Sequence, residues 1–140
     1  MKTGIGYYNS RDAFNSGRTA ATKAMHSGNI NKPGLVIAFC SGRLDHYEFL
    51  KGIRKITGDT PVIGGSTIGI ITNNDLSYKD YPSGVAIFES DDIKWDINTA
   101  GNMDRNEKQA GSGMAEKFPV VQDEKLLLMF YDSIKVPASP

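Results

Sequence analysis

The chain has 140 residues, 16 Lys and Arg balanced by 16 Asp and Glu, and one cysteine, Cys40. Zero net charge, spread evenly, argues against a nucleic-acid surface, a polybasic membrane patch or an acidic tail. A single cysteine excludes an internal disulfide and fits a reducing, cytoplasmic setting; Met1-Lys2-Thr3 leads into no apolar leader, and no run reaches the ~20 apolar residues of a membrane span.

In chain order, a short strand is expected at Ile5 to Tyr8. Ser10 or Asp12 then caps a helix whose Ala13, Phe14, Gly17, Ala20, Ala21, Ala24 and Met25 share one face. Most of those residues are small, so close packing on a sheet is expected. Gly28 to Gly34 is a polar connection. Leu35 to Cys40 is a continuous apolar run and reads as a strand buried on both faces. Asp45 and Glu48 make a capping-box pattern before Phe49, Ile53 and Ile56. Pro61-Val62-Ile63 is a strand entering Gly64-Gly65, followed by another at Ile68 to Thr72. Asn73 to Pro82 is a polar loop with Tyr78 and Tyr81. Gly84 to Phe88 is apolar, and Ile93, Trp95, Ile97 and Thr99 alternate with polar residues, so the two segments are expected to form an antiparallel hairpin. Asp104 and Glu107 open a helix to about Lys117, and Leu126 to Tyr131 is a final buried strand. The expected fold is α/β: a mixed, mainly parallel sheet with one antiparallel hairpin and helices on its faces. One three-layer sheet and a four-layer αββα stack both remain open.

The two ends look alike. Gly6 to Ser41 and Thr99 to Ser133 each run strand, Gly/Ala helix, connection and apolar strand, and Phe39 matches Phe130. If this is a repeat, the second copy stops where its next helix should begin. Residues 1–140 are then one partial domain, truncated after about Ser133, whose last strand has an open edge able to self-associate.

Gly6-Tyr7-Tyr8-Asn9-Ser10, Leu35-Val36-Ile37-Ala38-Phe39-Cys40-Ser41 and Pro61-Val62-Ile63-Gly64-Gly65-Ser66-Thr67-Ile68-Gly69, in that order, resemble the FIST N-terminal domain. The resemblance spans most of Gly4 to Ser133. It implies a cytoplasmic sensory domain for small molecules, amino acids among them. A C-terminal FIST domain or an output domain of the same protein is expected as its partner. Relatives commonly carry Cys where Gly65 stands and Glu where Ile70 stands, so a charge partner for a ligand amine would have to come from elsewhere.

Gly64 and Gly65 let a ligand approach the main chain, and Ser66 and Thr67 add hydroxyls just after a strand, where ligands of open α/β sheets collect. Cys40 and Ser41 end the neighbouring strand. Asp132 would reach the same mouth from the repeat, and Tyr81 with Tyr78 could cover it. Cys40, Ser41, Gly64, Gly65, Ser66, Thr67, Tyr81 and Asp132 are thus the candidate ligand residues. No metal or cofactor is expected, since Cys40, His26 and His46 lack ligand spacing. The balance is against an enzyme. An amide hydrolase with Thr3 exposed as its N-terminus, or a protein-interaction domain without a ligand, are the alternatives.

Overall fold

A computed structural model describes residues 1–101, 105–118 and 126–130. The chain divides into two compact units, Met1–Trp95 and Asp96–Pro140.

The first unit follows β1 (Lys2–Asn9), α1 (Ala13–Ser27), β2 (Leu35–Ser41), α2 (His46–Thr57), β3 (Val62–Thr67), β4 (Ile70–Ile71), β5 (Leu76–Ser77) and β6 (Pro82–Glu89). Its main sheet has the order β1-β6-β2-β3. β6 runs antiparallel to both β1 and β2, and β2–β3 is the parallel pair. The fold is mixed α/β, as the sequence predicts, but two of the three pairings are antiparallel.

The register separates the two faces, because directly paired residues point the same way. One face carries the rows Gly4–Ile87–Val36–Val62, Gly6–Val85–Ala38–Gly64 and Tyr8–Ser83–Cys40–Ser66. Both helices of the unit cover this face, so it is a two-layer arrangement. The core lies here, with Ala20, Ala21, Ala24, Val36, Ile53, Val85 and Ile87 essentially sealed from solvent. The opposite face carries Ile5–Ala86–Ile37–Ile63 and Tyr7–Gly84–Phe39–Gly65. Ile70 folds over Gly84 on that side, and the Trp95 ring packs at a tilt against Phe88, centroids 6.0 Å apart.

α1 begins where Asp12 accepts the Asn15 N–H at 2.9 Å. Its small residues let backbones meet. A Cβ at Gly6 would strike the Ala20 carbonyl, and Cβ atoms at Gly17 and Gly52 would strike carbonyls of the opposing helix, those of Phe49 and Phe14. The small-residue face therefore packs on β1 and on α2 at once. Ser16 and Ser83 join their hydroxyls at 2.8 Å inside this contact, and Ser83 donates to the Tyr8 carbonyl. Asp45 caps α2 by accepting from Tyr47 and Glu48 N–H groups, while the Glu48 carboxylate turns to Lys51.

The outer edge of β1 is closed by α1. The Ser27 hydroxyl bonds both main-chain groups of Ile5 at 2.8–2.9 Å, and Lys23 donates to the Tyr7 carbonyl at 3.0 Å. At the other end of the strand Lys2 pairs with Glu89 at 2.8 Å, and Glu89 also accepts the Asn31 and Lys32 N–H groups. The Lys2 ammonium first, then those two N–H donors, hold the Glu89 carboxyl at about 2.

Two expectations need correction. Ile93–Thr99 forms no strand, because β6, its intended partner, already has β1 on one edge and β2 on the other. Among the described residues the antiparallel hairpin is instead β4 with β5. In the second unit, α3 (Glu107–Ala115) forms, but its cap is Asn106, which accepts the Gln109 N–H at 2.9 Å; Asp104, the expected opener, lies outside the described residues. Leu126–Phe130, however, is not a buried strand, and Leu126 is 92% exposed. No strand among the described residues of that unit offers it a ladder.

Candidate functional site

β1, β2 and β3 run the same way, so Asn9, Ser41 and Thr67 end at one edge of the sheet, where β6 begins. The parallel register sets Cys40 beside Ser66 and Ser41 beside Thr67. Two of the loops that leave this edge start helices: Asp12 and Asp45, the caps of α1 and α2, sit just beyond Asn9 and Ser41.

Gly64 has φ of 151°, and a Cβ there would strike the Ala38 carbonyl, so only glycine lets β3 lie this close to β2. Gly65 differs: nothing lies within 4 Å of the position its Cβ would take. The Gly-Gly pair therefore combines a tight backbone contact with an open approach. Cys40, Gly64 and Gly65 share a cavity of about 220 Å³ with Ala38, His46, Phe49, Leu50, Ile53, Val62 and Ile63, between α2 and β3.

The three hydroxyls divide across the sheet. Ser66 shares the helix-side face with Cys40, whereas Ser41 and Thr67 turn to the opposite face. Ser41 is buried and accepts the Arg43 N–H at 3.3 Å. Thr67 donates to the Gly69 carbonyl at 2.8 Å and so closes its own turn. Ser66 is exposed, lies near Gly42, and has no hydrogen-bond partner among the described residues. Of the three, Ser66 is the hydroxyl ready to meet a ligand without losing an existing bond.

Cys40 is 2% exposed, and burial pushes its thiol up to about 11. It is a thiol at neutral pH and a poor nucleophile. His46 lines the same cavity, yet no hydrogen bond joins the two among the described residues. Those residues also contain no group of three or more His, Cys, Asp or Glu placed to hold a metal ion.

Tyr81 packs partly against the core, and its main-chain N–H donates to Asn9 Oδ1 at 2.9 Å. Tyr78 is exposed and lies against Gly69. Asp132 is outside the described residues. Ile70 stands where the resemblance implies a carboxylate, and it is buried on Gly84, where it seals the sheet instead of offering a charge.

Sequence reasoning overlooked Asn9. Its side chain accepts from Tyr81 N–H and donates to the Lys79 carbonyl, with Ser77 Oγ at 3.5 Å, so it ties the 72–81 loop to the end of β1. An amide at the end of a strand, where both donor and acceptor can serve a loop, is the signal that could have found it.

No described helix is long and apolar enough to cross a membrane. No curated protein matches the chain. The sequence model of the FIST N domain matches residues 34–140, well over half of the chain and including the Cys40-Ser41 and Gly64–Thr67 segments. The chain therefore belongs to the FIST N domain family, whose members serve as sensory, signal-transduction domains.

Proposed function

We propose that this domain senses a small polar ligand in the cytoplasm, held across the carboxyl ends of β2 and β3. The supporting observation is the register: Cys40–Ser66 and Ser41–Thr67 are neighbours at the end of the parallel pair, the place where open α/β sheets bind ligands. Ser66 supplies a ready hydroxyl, Ser41 and Thr67 supply hydroxyls by exchanging local bonds, and Gly65 leaves the main chain open. An amino acid fits this chemistry, with Asp132 as the expected partner of its amine. Signal output would follow from unequal affinity for two conformations of a longer protein containing a C-terminal FIST domain.

Thermal unfolding in the presence of amino acids and small carboxylates tests the reading. A true ligand at 100 times its Kd stabilises the fold by about 2.7 kcal/mol. Ser66→Ala should weaken that ligand by roughly tenfold, the loss of one good hydrogen bond. Absence of stabilisation by every compound, with the domain folded, would reject it.

A further inference from the structure

The two edges of the main sheet are treated differently. Side chains of α1 occupy the outward main-chain groups of β1. Among the described residues β3 has no such cover. The Pro61 carbonyl accepts the Val36 N–H at 2.9 Å. In a parallel ladder the bonded residues alternate, so Ile63, Gly65 and Thr67 face β2 while Val62, Gly64 and Ser66 turn their N–H and C=O groups outward. No hydrogen bond among the described residues reaches those outward groups, and Gly64, Gly65 and Ser66 are exposed.

Beside this edge lies the cavity of about 220 Å³, where Phe49, Leu50 and Ile53 of α2 face Val62 and Gly64. An open row of main-chain donors and acceptors next to an apolar hollow is what an extended peptide needs. The ladder supplies affinity, and the hollow takes one side chain in every two. The charges near it are unequal. Asp45 is engaged as a cap and Glu48 with Lys51. Arg43, after β2, and Arg54, one helical turn past Leu50, are exposed and form no ion pair among the described residues.

We propose that the α2–β3 groove is a strand-addition site for a partner protein's extended segment, one bearing an apolar side chain with acidic residues two positions away. The apolar group enters between Leu50, Ile53 and Val62, and the carboxylates, on the same side of the strand, meet Arg43 and Arg54. A second copy of this chain fits less well. Its β3 would bring Val62, Gly64 and Ser66 to the groove and lay glycine over glycine, leaving the hollow unfilled.

The test is an amide-resolved titration of the whole chain with the blocked peptide Thr-Glu-Thr-Leu-Thr-Glu-Thr. Shifts should concentrate at Val62, Gly64, Ser66 and the α2 residues His46 to Ile53. Replacing the central Leu by Ser, or both Glu by Lys, should each weaken binding by roughly tenfold or more. N-methylation of alternate peptide residues should abolish binding for one alternating set and spare the other, because only one set faces β3. Arg43→Glu, at an exposed position, should reduce the preference for Glu over Lys. The proposal is overturned if no peptide moves these amides at about 1 mM, if both N-methylated sets bind equally, or if the β3 amides are protected by a dimer of the chain.

Discussion

The α1 half of the first unit and the α2–β3 half are built from the same materials, a helix laid on strands with glycines at the contact, yet they are finished differently. Around α1 the glycines are answered by backbone: Gly6 by Ala20, Gly17 by Phe49, Gly52 by Phe14. The β1 edge is then closed by Ser27 and Lys23. Around β3 one glycine is tight and the next is open, a hollow remains under α2, and no main-chain hydrogen bond among the described residues reaches the outer edge. Small residues thus do two opposite jobs. They bring backbones together where a partner is present, and they leave space where none is.

The comparison breaks most visibly at the α1–α2 crossing. Gly52→Ala should cost about 3 kcal/mol, because the new methyl meets the Phe14 carbonyl and two helix backbones must separate. Urea unfolding measures it, and Gly17→Ala should match. Next in size is Ser83→Ala, which strips a buried hydroxyl from Ser16 and from the Tyr8 carbonyl. A loss of about 1–3 kcal/mol is expected, since one polar partner stays buried without its bond. A near-zero change would show that this half is less tightly sealed than its geometry indicates.

Acid sharpens the same contrast through Glu89, which ties β6 to Lys2 and to the loop before β2. Its carboxyl is held at about 2 against an ordinary 4.5, chiefly by Lys2 and then by the Lys32 and Asn31 N–H groups. A lowered folded pKa means that the contribution is complete above pH 4.5 and fades as pH falls toward 2. Unfolding free energy followed over that window should drop more steeply for the native chain than for Glu89→Gln. Equal slopes would remove the carboxylate from the account. Cys40 gives a milder readout at the other half. With its thiol near 11, only roughly one in ten thousand molecules carries a thiolate at pH 7. Alkylation should therefore be slow at neutral pH and quicken toward pH 11; fast labelling at pH 7 would mean that the cavity floor opens.

Local features of this design were legible in the sequence, and long-range ones were not. The Leu35–Ser41 run announces a central strand because six consecutive apolar residues suit no half-wet position. Asp45 and the Ala/Gly face of α1 announce themselves by spacing alone. Leu126–Phe130 has nearly the same composition and forms no strand, because strand formation depends on a neighbour that composition does not encode. For the same reason the insertion of β6 between β1 and β2 was hidden: it joins residues as far as 87 positions apart, at Lys2 and Glu89, and it denies Ile93–Thr99 its partner. At the site, Gly64 to Thr67 was visible as a motif. The division of its hydroxyls between two faces became visible only with the register. The role of Ser27 is a tertiary choice that a lone polar residue does not reveal.

The smallest expected effect is the most specific. Gly64 and Gly65 are adjacent and chemically identical, but only Gly64 combines φ of 151° with a main-chain carbonyl in the way of a Cβ. Gly64→Ala should therefore destabilise by several times more than Gly65→Ala, whose new methyl enters open space and should change stability by less than about 0.5 kcal/mol. The open position then has a second consequence. A methyl at residue 65 that leaves the fold intact still narrows the approach to the main chain beside Ser66 and Thr67, so ligand affinity should fall while the unfolding curve stays in place. If Gly65→Ala lowers stability as much as Gly64→Ala, that opening is filled in solution, and the contrast between the closed and open halves of the sheet is lost.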